Sequence, residues 1–187
     1  MKYICVLCTL VCLLFSQLLC ADDSSVEYKI KAGYLYNFTK FVTWPEVNSE
    51  TFNLCILGAD PFGELIDPIE KRSAFGRYIK LFRFDSLDAL KRTNNEPHCH
   101  IIFISSSIGS VRNDIIGNGT LVIRDINKTL TVGEGDDFAM QGGMVGFVNR
   151  EGKIKLQINL KKIKQSDLKV SAKLLEVAEI VEGGNGD

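Results

Sequence analysis

Two histidines flank a cysteine in the segment His98-Cys99-His100, and these residue types together could bind a transition metal. In a β-strand the two histidine side chains share one face, whereas the cysteine between them points to the other face. A complete zinc site needs about four ligands in a tetrahedral arrangement, and two histidines alone do not supply them. We therefore predict no metal site, and we interpret both histidines as residues near the surface at the start of a strand.

Three consecutive serines, Ser105-Ser106-Ser107, and the acidic pair Asp136-Asp137 are the other candidates for catalysis. The serines lie in no nucleophile-elbow sequence, and the carboxylates have no apolar segment beside them that would form a pocket. The loop of residues 58–63 does not match a dinucleotide-binding turn, because Pro61 and Phe62 crowd its backbone. We predict a protein that is not an enzyme and uses no cofactor. An exported enzyme that uses one of these serines or histidines is kept as an alternative.

The charge balance excludes one large class of partner. The chain has 187 residues, with 22 Lys+Arg against 23 Asp+Glu, so its formal net charge is −1. A protein that binds nucleic acid through the phosphate backbone normally has a basic excess. We therefore predict no nucleic-acid partner.

The N-terminal segment has the features of a secretory signal peptide. Lys2 provides a positive start, an apolar run follows from residue 4 to residue 15, and Ala21 is a small residue suited to cleavage. The run is shorter than the roughly 20 apolar residues that a membrane span needs. We predict a signal peptide over residues 1–21, a single exported domain over residues 22–187, and a periplasmic location.

Most of the cysteines belong to that signal peptide. Four of the six, at positions 5, 8, 12 and 20, fall within it, so the predicted mature chain keeps only Cys55 and Cys99. A lipid anchor on Cys20 and an uncleaved N-terminal anchor are alternatives to simple cleavage.

The two remaining cysteines are placed to form a disulfide. Cys55 lies in the first predicted strand and Cys99 opens the third, and these two strands are commonly neighbours in a doubly wound sheet. Neighbouring strands are about 4.8 Å apart, which a disulfide can bridge, and disulfides persist in an oxidising compartment. We predict the bond Cys55–Cys99. Two buried free thiols are the alternative.

The order of short apolar runs and polar helical stretches predicts an α/β fold. Strands are expected over residues 52–57, 78–84, 99–105, 120–126, 144–149 and 153–160. Helices are expected over residues 26–44 with Ser25 as N-cap, 61–71, 87–93 after the cap Ser86, 111–117 and 160–165 after the cap Asn159, and a last helix is expected to carry Leu174, Leu175, Ala178 and Val181 on one face. We predict a single-domain three-layer sandwich with a mixed, mostly parallel sheet of five to six strands. Helices cover both faces, and an antiparallel hairpin lies near the C-terminus.

Several segments carry a resemblance when they are taken together. Residues 34–45 end in Phe38-Thr39-Lys40-Phe41-Val42-Thr43-Trp44-Pro45, and residues 142–144 are Gly-Gly-Met. These segments, with residues 52–62, 99–105 and 168–175, resemble the YfiR family of periplasmic proteins, whose opening helix ends in FxxFxxWP and whose hairpin begins with GGM. The resemblance covers residues 28–180, which is nearly the whole predicted mature chain.

This resemblance implies regulation rather than catalysis. The best-known members are periplasmic repressors that bind the periplasmic part of an inner-membrane diguanylate cyclase, and they hold down cyclic di-GMP synthesis and biofilm formation. An outer-membrane-linked lipoprotein can sequester the repressor. Other members occur beside other membrane sensors, and a homodimer is compatible with the resemblance.

The family also carries a cysteine pair that matches Cys55 and Cys99, and the resemblance implies that this pair makes the protein sensitive to redox state. Some members have a second pair near the GGM hairpin. This sequence has no cysteine there, so any redox response must run through one disulfide.

A repressor needs a surface that binds the silent state of its partner better than the active state. Trp44, Met144 and Phe147, together with the last helix, are the candidate partner patch, because aromatic residues and methionine are enriched at binding surfaces. Ordinary core positions are the alternative for each of them.

A small-ligand-binding module is the alternative function. A doubly wound sheet has a crevice at the carboxyl ends of its strands, which we expect near Gly58, Ser105 and Asp125.

Overall fold

The computed structural model describes residues 23–45, 49–93, 97–109, 115–116 and 126–183. The predicted signal peptide lies outside these residues, as do nearly all of the predicted strand 120–126 and most of the predicted helix 111–117. Ile115 and Ile116, which are helical and buried, are the described part of that helix.

The described strands form one eight-stranded sheet and one two-stranded sheet. In chain order they are β1 (Val42–Thr43), β2 (Phe52–Leu57), β3 (Ser73–Ala74), β4 (Arg77–Phe84), β5 (Ile101–Ile104), β6 (Leu130–Glu134), β7 (Val145–Arg150), β8 (Lys153–Asn159), β9 (Lys169–Val170) and β10 (Ala178–Val181). The order across the large sheet is β10-β8-β7-β6-β5-β2-β4-β3, and β1 pairs with β9. Every pair from β7 to β4 is parallel, and β7 and β8 form an antiparallel hairpin. The predicted α/β class, with a mostly parallel sheet and a hairpin, is confirmed.

The sheet contains more strands than the five to six expected. The strand β3 is only two residues long, which is too short to leave a periodic signal. The strand β6 ends in Val132, Gly133 and Glu134, and a strand interrupted by glycine is a poor match to the usual pattern. The strand β10 falls where the sequence predicts a helix.

Helices cover both faces of the sheet, as predicted. The helices are α1 (Asp23–Phe41), α2 (Leu87–Arg92), α3 (Leu160–Lys164) and α4 (Ala172–Glu176). Leu35 and Phe38 of α1 pack into the cluster on one face, and Leu90 of α2 packs into the cluster on the other face. Alternate residues of β2 therefore point to different layers: Leu54 belongs to the α1 cluster and Cys55 to the α2 cluster.

Both ends of α1 differ from the expected ends. The helix begins at Asp23, so Ser25 lies inside it rather than capping it, and it ends at Phe41. Val42 and Thr43 leave the helix because they pair with Val170 and Lys169 in β9. β-Branched residues suit such a pairing, and Pro45 then prevents the helix from resuming.

The C-terminal segment is a short helix followed by a strand, so the predicted last helix is wrong in its second half. Leu174 is buried in α4, whose N-cap Ser171 accepts a hydrogen bond from the backbone of Leu174. From Ala178 to Val181 the chain pairs in parallel with β8. The apolar residues recur at helical spacing, but backbone hydrogen bonds to the open edge of β8 outweigh that pattern.

The predicted caps are confirmed at two short helices. The side chain of Ser86 accepts a hydrogen bond from the backbone of Ala89, and Asn159 accepts one from the backbone of Lys162. The predicted helix 61–71 is instead two 3₁₀ turns, Gly63–Leu65 and Asp67–Lys71, because Pro68 cannot donate the hydrogen bond that a continuous α-helix requires.

The outer edge of β4 is covered by the second of these turns. The backbone N–H of Ile79 donates to the carbonyl of Arg72 over 3.0 Å, and the N–H of Leu81 donates to Oε1 of Glu70 over 2.9 Å. Two edge donors that β3 does not reach are thus satisfied within the chain.

A phenylalanine ring fills a slot between two glycines on the second face of the sheet. Phe138 is fully buried, and a Cβ placed on Gly133 or Gly143 would collide with its ring. Gly33, on an exposed position of α1, has nothing within 4 Å of an added Cβ. The first two glycines are therefore required by packing and the third is not.

We expect Gly133→Ala and Gly143→Ala each to lower the free energy of unfolding by about 1–3 kcal/mol, because the added methyl group overpacks the slot. Gly33→Ala is the matched control and should raise it by about 0.5–1 kcal/mol, since alanine favours the helix. Urea unfolding of the three variants measures this. If all three variants had the same free energy of unfolding, the Phe138 ring would not fill the space beside Gly133 and Gly143 as described.

Candidate functional site

The structure contains the disulfide that the sequence predicts. Cys55 lies in the middle of β2, Cys99 lies two residues before β5, and their Cα atoms are 5.8 Å apart. Both cysteines are buried in the cluster on the α2 face. The bond therefore joins β2 to the residues just before the adjacent strand β5, inside the core and away from solvent.

A set of polar contacts surrounds this bond where the chain enters β5. The backbone N–H of Asn53 donates to Nδ1 of His100 over 2.9 Å, and the backbone N–H of His100 donates to the carbonyl of Asn53 over 2.9 Å. The side-chain amide of Asn53 donates to the carbonyl of His98 over 2.8 Å, and Nε1 of Trp44 donates to the carbonyl of His100 over 2.8 Å. We call these residues and the disulfide the β5 junction.

His100 is a core residue, so its predicted position near the surface is wrong. Its side chain is 2% exposed, and its ring stacks on Phe52 with centroids 4.5 Å apart. The hydrogen bond from the backbone of Asn53 compensates part of the cost of burying a polar ring. Burial, together with the nearby His98 and Arg77, lowers the pKa of His100 to about 3. The imidazole is therefore neutral at physiological pH.

The three residues of the predicted partner patch are not equally accessible. Met144 and Phe147 are each 2% exposed, and the Phe147 ring contacts Tyr34 and Phe38 of α1. Trp44 is half-buried beside Phe52, with ring centroids 5.0 Å apart. Only Trp44 offers surface to a partner, and its binding role stays a prediction.

Two exposed aromatic residues, one of which lies beside Trp44, are not identified from the sequence. Phe75 is 54% exposed and Tyr78 is 75% exposed, in and next to the turn between β3 and β4. Phe75 has φ of +52°, a conformation that is costly for a bulky residue, and its ring packs against Trp44 with centroids 5.9 Å apart. The sequence signal would have been the turn pair Phe75-Gly76 directly before the alternating run of β4.

Beside Gly58, the crevice predicted at the carboxyl ends of the strands is filled by Ser107 and Ile108. A Cβ on Gly58 would approach Oγ of Ser107 to 2.6 Å and Ile108 to 2.8 Å. Oγ of Ser107 accepts a hydrogen bond from the backbone of Ala59 over 2.8 Å. Gly58 and Ser105 therefore lie where expected, but the space between them is closed. Asp125 lies outside the described residues.

A buried lysine on α1 forms a charge network that the sequence analysis misses. Lys31 is buried and forms ion pairs with Glu27, one helical turn earlier, and with Glu134 at the end of β6. Burial alone would lower the pKa of Lys31, but the hydrogen bonds to Glu134 and Glu27 outweigh it and raise the pKa. Only the Glu27–Lys31 spacing was visible in the sequence. The ion pair between Lys31 and Glu134 connects α1 to the end of β6.

A groove on the outer side of α1 separates it from the two 3₁₀ turns. Its volume is about 180 Å³, and it is lined on the helix side by Lys29, Ala32, Gly33 and Tyr36 and on the other side by residues between Leu65 and Arg72. No sequence pattern pointed to it, because the residues come from two segments that are 29 positions apart at their closest, from Tyr36 to Leu65.

No group of three or more His, Cys, Asp or Glu side chains among the described residues is arranged to hold a metal ion. No helix among them is long and apolar enough to cross a membrane.

Comparisons with known proteins give one family and one fold. The family model DUF4154, described as YfiR/HmsC-like, matches residues 28–179. A search of curated proteins finds no match. Among solved structures, the ABC domain in complex with L-Trp from Streptococcus pneumonia is similar, with a TM-score of 0.53 and 10% sequence identity. The similarity covers 80% of this chain and 60% of that chain, so this chain spans less than two thirds of its length. At that identity the likeness shows the fold alone.

Removing the disulfide should destabilise the fold. The bond closes a loop of sequence separation 44, and the loss of that constraint on the unfolded chain is worth about 3–4 kcal/mol. We expect Cys55→Ser/Cys99→Ser, or wild type in reductant, to show this loss in urea unfolding. The double variant itself should not respond to reductant, and identical midpoints for wild type with and without reductant would contradict the bond.

His100 should make stability fall at acid pH. Its pKa is 6.5 when unfolded and about 3 when folded, so below pH 6.5 the unfolded chain binds a proton that the folded chain refuses. The contribution of neutral His100 to the free energy of unfolding is fully present above pH 6.5. It is lost as the pH falls towards 3, by at most about 1.4 kcal/mol per pH unit.

The variant His100→Asn keeps an acceptor for the backbone of Asn53 but does not titrate. The difference in unfolding free energy between wild type and this variant should shrink as the pH falls from 6.5 to 4. A difference that is constant over this range would show that His100 is not buried in its neutral form.

Proposed function

Because this chain belongs to the YfiR/HmsC-like family, we propose that it is an exported periplasmic binding protein that represses an inner-membrane diguanylate cyclase. The observation that carries the proposal is the family match over residues 28–179, nearly all of the predicted mature domain. In this role the protein binds the periplasmic part of the cyclase and favours its silent state, so that cyclic di-GMP stays low. It acts by binding rather than by catalysis.

The buried disulfide supports an exported protein. Cys55 and Cys99 are the two cysteines that remain after the predicted signal peptide, and a structural disulfide persists outside the reducing cytosol. Since both sulfurs are buried, a reductant reaches them only when the core opens. A redox response of this protein therefore requires local opening of the β5 junction.

The half-buried Trp44 is the part of the predicted patch that we retain for partner binding. It is close to the exposed Phe75, and both rings rest on Phe52 with centroids 5.0 and 5.9 Å away. Aromatic side chains fixed in place by neighbours lose little conformational freedom when they bind. An outer-membrane-linked lipoprotein that sequesters the protein, and a homodimer, are further partners in this proposal.

The alternative, a small-ligand-binding module, is less compatible with the closed crevice. Ser107 and Ile108 occupy the space beside Gly58 where a doubly wound sheet would hold a ligand. A ligand there would have to displace the hydrogen bond from Ala59 to Ser107.

Deleting the gene should raise cellular cyclic di-GMP in the organism that encodes it, because the cyclase loses its repressor. The full chain should restore the low level. The matched control lacks residues 2–21, stays inside the cell and should fail to restore it. Mass-spectrometric quantification of cyclic di-GMP measures the effect. An unchanged level after deletion, or equal rescue by both forms, would refute the proposed function.

A further inference from the structure

The charges of the chain are segregated to two opposite edges of the sheet, although they nearly cancel in a net charge of −1. The neighbours β4, β2, β5, β6 and β7 pair in parallel, so all five strands begin at one edge and end at the other. We call the first the amino edge and the second the carboxyl edge. The segments that meet at each edge decide its charge, and a surface of one sign can attract a partner of the other sign.

The amino edge is basic. It gathers the end of α1 with β1, the second 3₁₀ turn with the start of β4, the turn before β6, and α3 with β9. Ten half-buried or exposed cations lie in these segments: Lys40, Lys71, Arg72, Arg77, Lys80, Lys128, Lys161, Lys162, Lys164 and Lys169. Four described carboxylates lie among them or at the ends of β2 and β10: Glu50, Glu70, Asp167 and Glu182. Counting also Glu46 and Glu96, which adjoin these segments in sequence, still leaves ten cations against six carboxylates. This excess does not depend on which of the side chains are paired.

The carboxyl edge is acidic. Its described segments hold eleven carboxylates: Asp23, Glu27, Asp60, Glu64, Asp67, Asp85, Asp88, Glu134, Asp136, Asp137 and Glu151. They hold four cations, Lys31, Arg83, Arg150 and Lys153. Lys31 is shared by two carboxylates of this set, and so is Arg83, so each of these clusters keeps a negative charge. The domain therefore has a charge dipole along the direction of the strands.

Exposed aromatic side chains lie at the basic edge. Phe75, in the turn before β4, is 54% exposed, and Tyr78, the second residue of β4, is 75% exposed. The half-buried Trp44 lies at the same edge, because its Nε1 donates to the carbonyl of His100 just before β5. Aromatic side chains beside basic ones are typical of surfaces that lie in the headgroup layer of a membrane. This observation is independent of the charge count.

We infer that the amino edge binds the surface of an anionic phospholipid bilayer. The lysine and arginine side chains reach the headgroup phosphates, and the rings of Phe75 and Tyr78 enter the headgroup layer. The acidic carboxyl edge then points away from the bilayer. The inference goes beyond the proposed function and rests on it only for which membrane is meant, the one that holds the cyclase. A contact of Trp44 with the cyclase then lies at the membrane surface.

An acidic protein is the other class of partner, and the geometry favours it less. The large sheet has eight strands, so its edge is about 34 Å wide, and the cations come from segments at both sides of it. Recognition of anionic lipids generally uses clusters of about four to eight Lys or Arg. A broad basic edge with exposed rings fits a flat headgroup layer better than a single acidic segment, which would cover only part of it.

The first test uses the purified chain without the predicted signal peptide and two kinds of vesicle. One kind contains phosphatidylcholine and phosphatidylglycerol in equal parts, and the other contains phosphatidylcholine alone. We expect the chain to sediment only with the anionic vesicles and to be released by high salt. Trp44 is the one tryptophan of the chain, so its fluorescence emission should shift to the blue on binding.

Two results of this test would overturn the inference. The first is equal sedimentation with both vesicles, or with neither. The second is binding to the anionic vesicles with unchanged emission of Trp44, because another surface would then contact the lipid.

Charge reversal at the two ends of the molecule tests the orientation. Lys164→Glu/Lys169→Glu changes two exposed lysines at the amino edge, and Lys153→Glu/Lys155→Glu changes two exposed lysines of β8 away from it. Both variants alter the net charge equally. At physiological salt, where charges more than about 8 Å apart are screened, we expect about tenfold or more weaker vesicle binding for the first. The second should bind as wild type, and equal weakening of both would overturn the inference.

Tyr78→Ser tests the aromatic contact. Its side chain is largely exposed, so the thermal midpoint should be unchanged while vesicle binding weakens about threefold or more. Val26→Ser is the matched control, since Val26 is an exposed apolar residue near the start of α1, at the carboxyl edge. Wild-type binding by Tyr78→Ser, or equal weakening by Val26→Ser, would overturn the inference.

Soluble polyglutamate is the third probe. Binding to polyglutamate but not to the anionic vesicles, lost in Lys164→Glu/Lys169→Glu, would overturn the inference and assign the amino edge to an acidic protein. The outcome is separable from the proposed function. Failed vesicle binding leaves the repressor role intact, and an unchanged cyclic di-GMP level after gene deletion refutes that role without changing the vesicle result.

Discussion

The parallel pairing of β2 with β5 is the most heavily cross-connected part of the eight-stranded sheet, and strands lie on both sides of it. Main-chain hydrogen bonds, the Cys55–Cys99 bond and the reciprocal contacts of Asn53 and His100 all connect these two strands. Because Trp44, Asn53 and His100 each form a side-chain hydrogen bond with the backbone of a neighbouring segment, a shift of register by one residue would break several contacts at once. The contacts at this junction therefore specify the register of β2 against β5.

The same junction connects the interior of the sheet to its surface. Trp44 donates to the carbonyl of His100, and Phe52 lies between the His100 ring and the exposed Phe75. A series of ring contacts thus connects His100, which follows Cys99 in the chain, with the exposed Phe75 through Phe52. The packing of Phe75 against Phe52 supports a backbone conformation that is otherwise unfavourable for a bulky residue.

Sequence patterns predicted the elements whose signals are local. The runs of residues 52–57 and 78–84, the caps Ser86 and Asn159, and the hairpin around Gly152 depend on neighbours in sequence, and they are confirmed. Elements that depend on a distant partner were missed. Residues 178–181 pair with β8 despite helical spacing, and Val42 leaves α1 to pair with β9. Burial of His100 follows from its fit to Asn53, forty-seven residues away, which no local pattern contains.

The candidate site residues also differ in whether their environment depends on local sequence or on distant parts of the chain. The cysteine pair was predictable because strand order sets which strands are neighbours, whereas the burial of Phe147 follows from its packing against Tyr34 and Phe38 of α1. Lys29 and Lys31 are alike in sequence and two residues apart on one helix. Lys31 points to the sheet and is neutralised by two carboxylates, and Lys29 points to the groove and has none within the described residues. Only the rotation of the helix on the sheet, set by Leu35 and Phe38, distinguishes them.

The carboxylate of Glu70 has a consequence for the behaviour of the protein at high concentration. By accepting the hydrogen bond of Leu81, it occupies the position where the carbonyl of an additional strand would dock against β4. Another molecule that added a strand there would first have to displace a charged group from the edge. Self-association through this side of the sheet is thereby disfavoured by a single side chain.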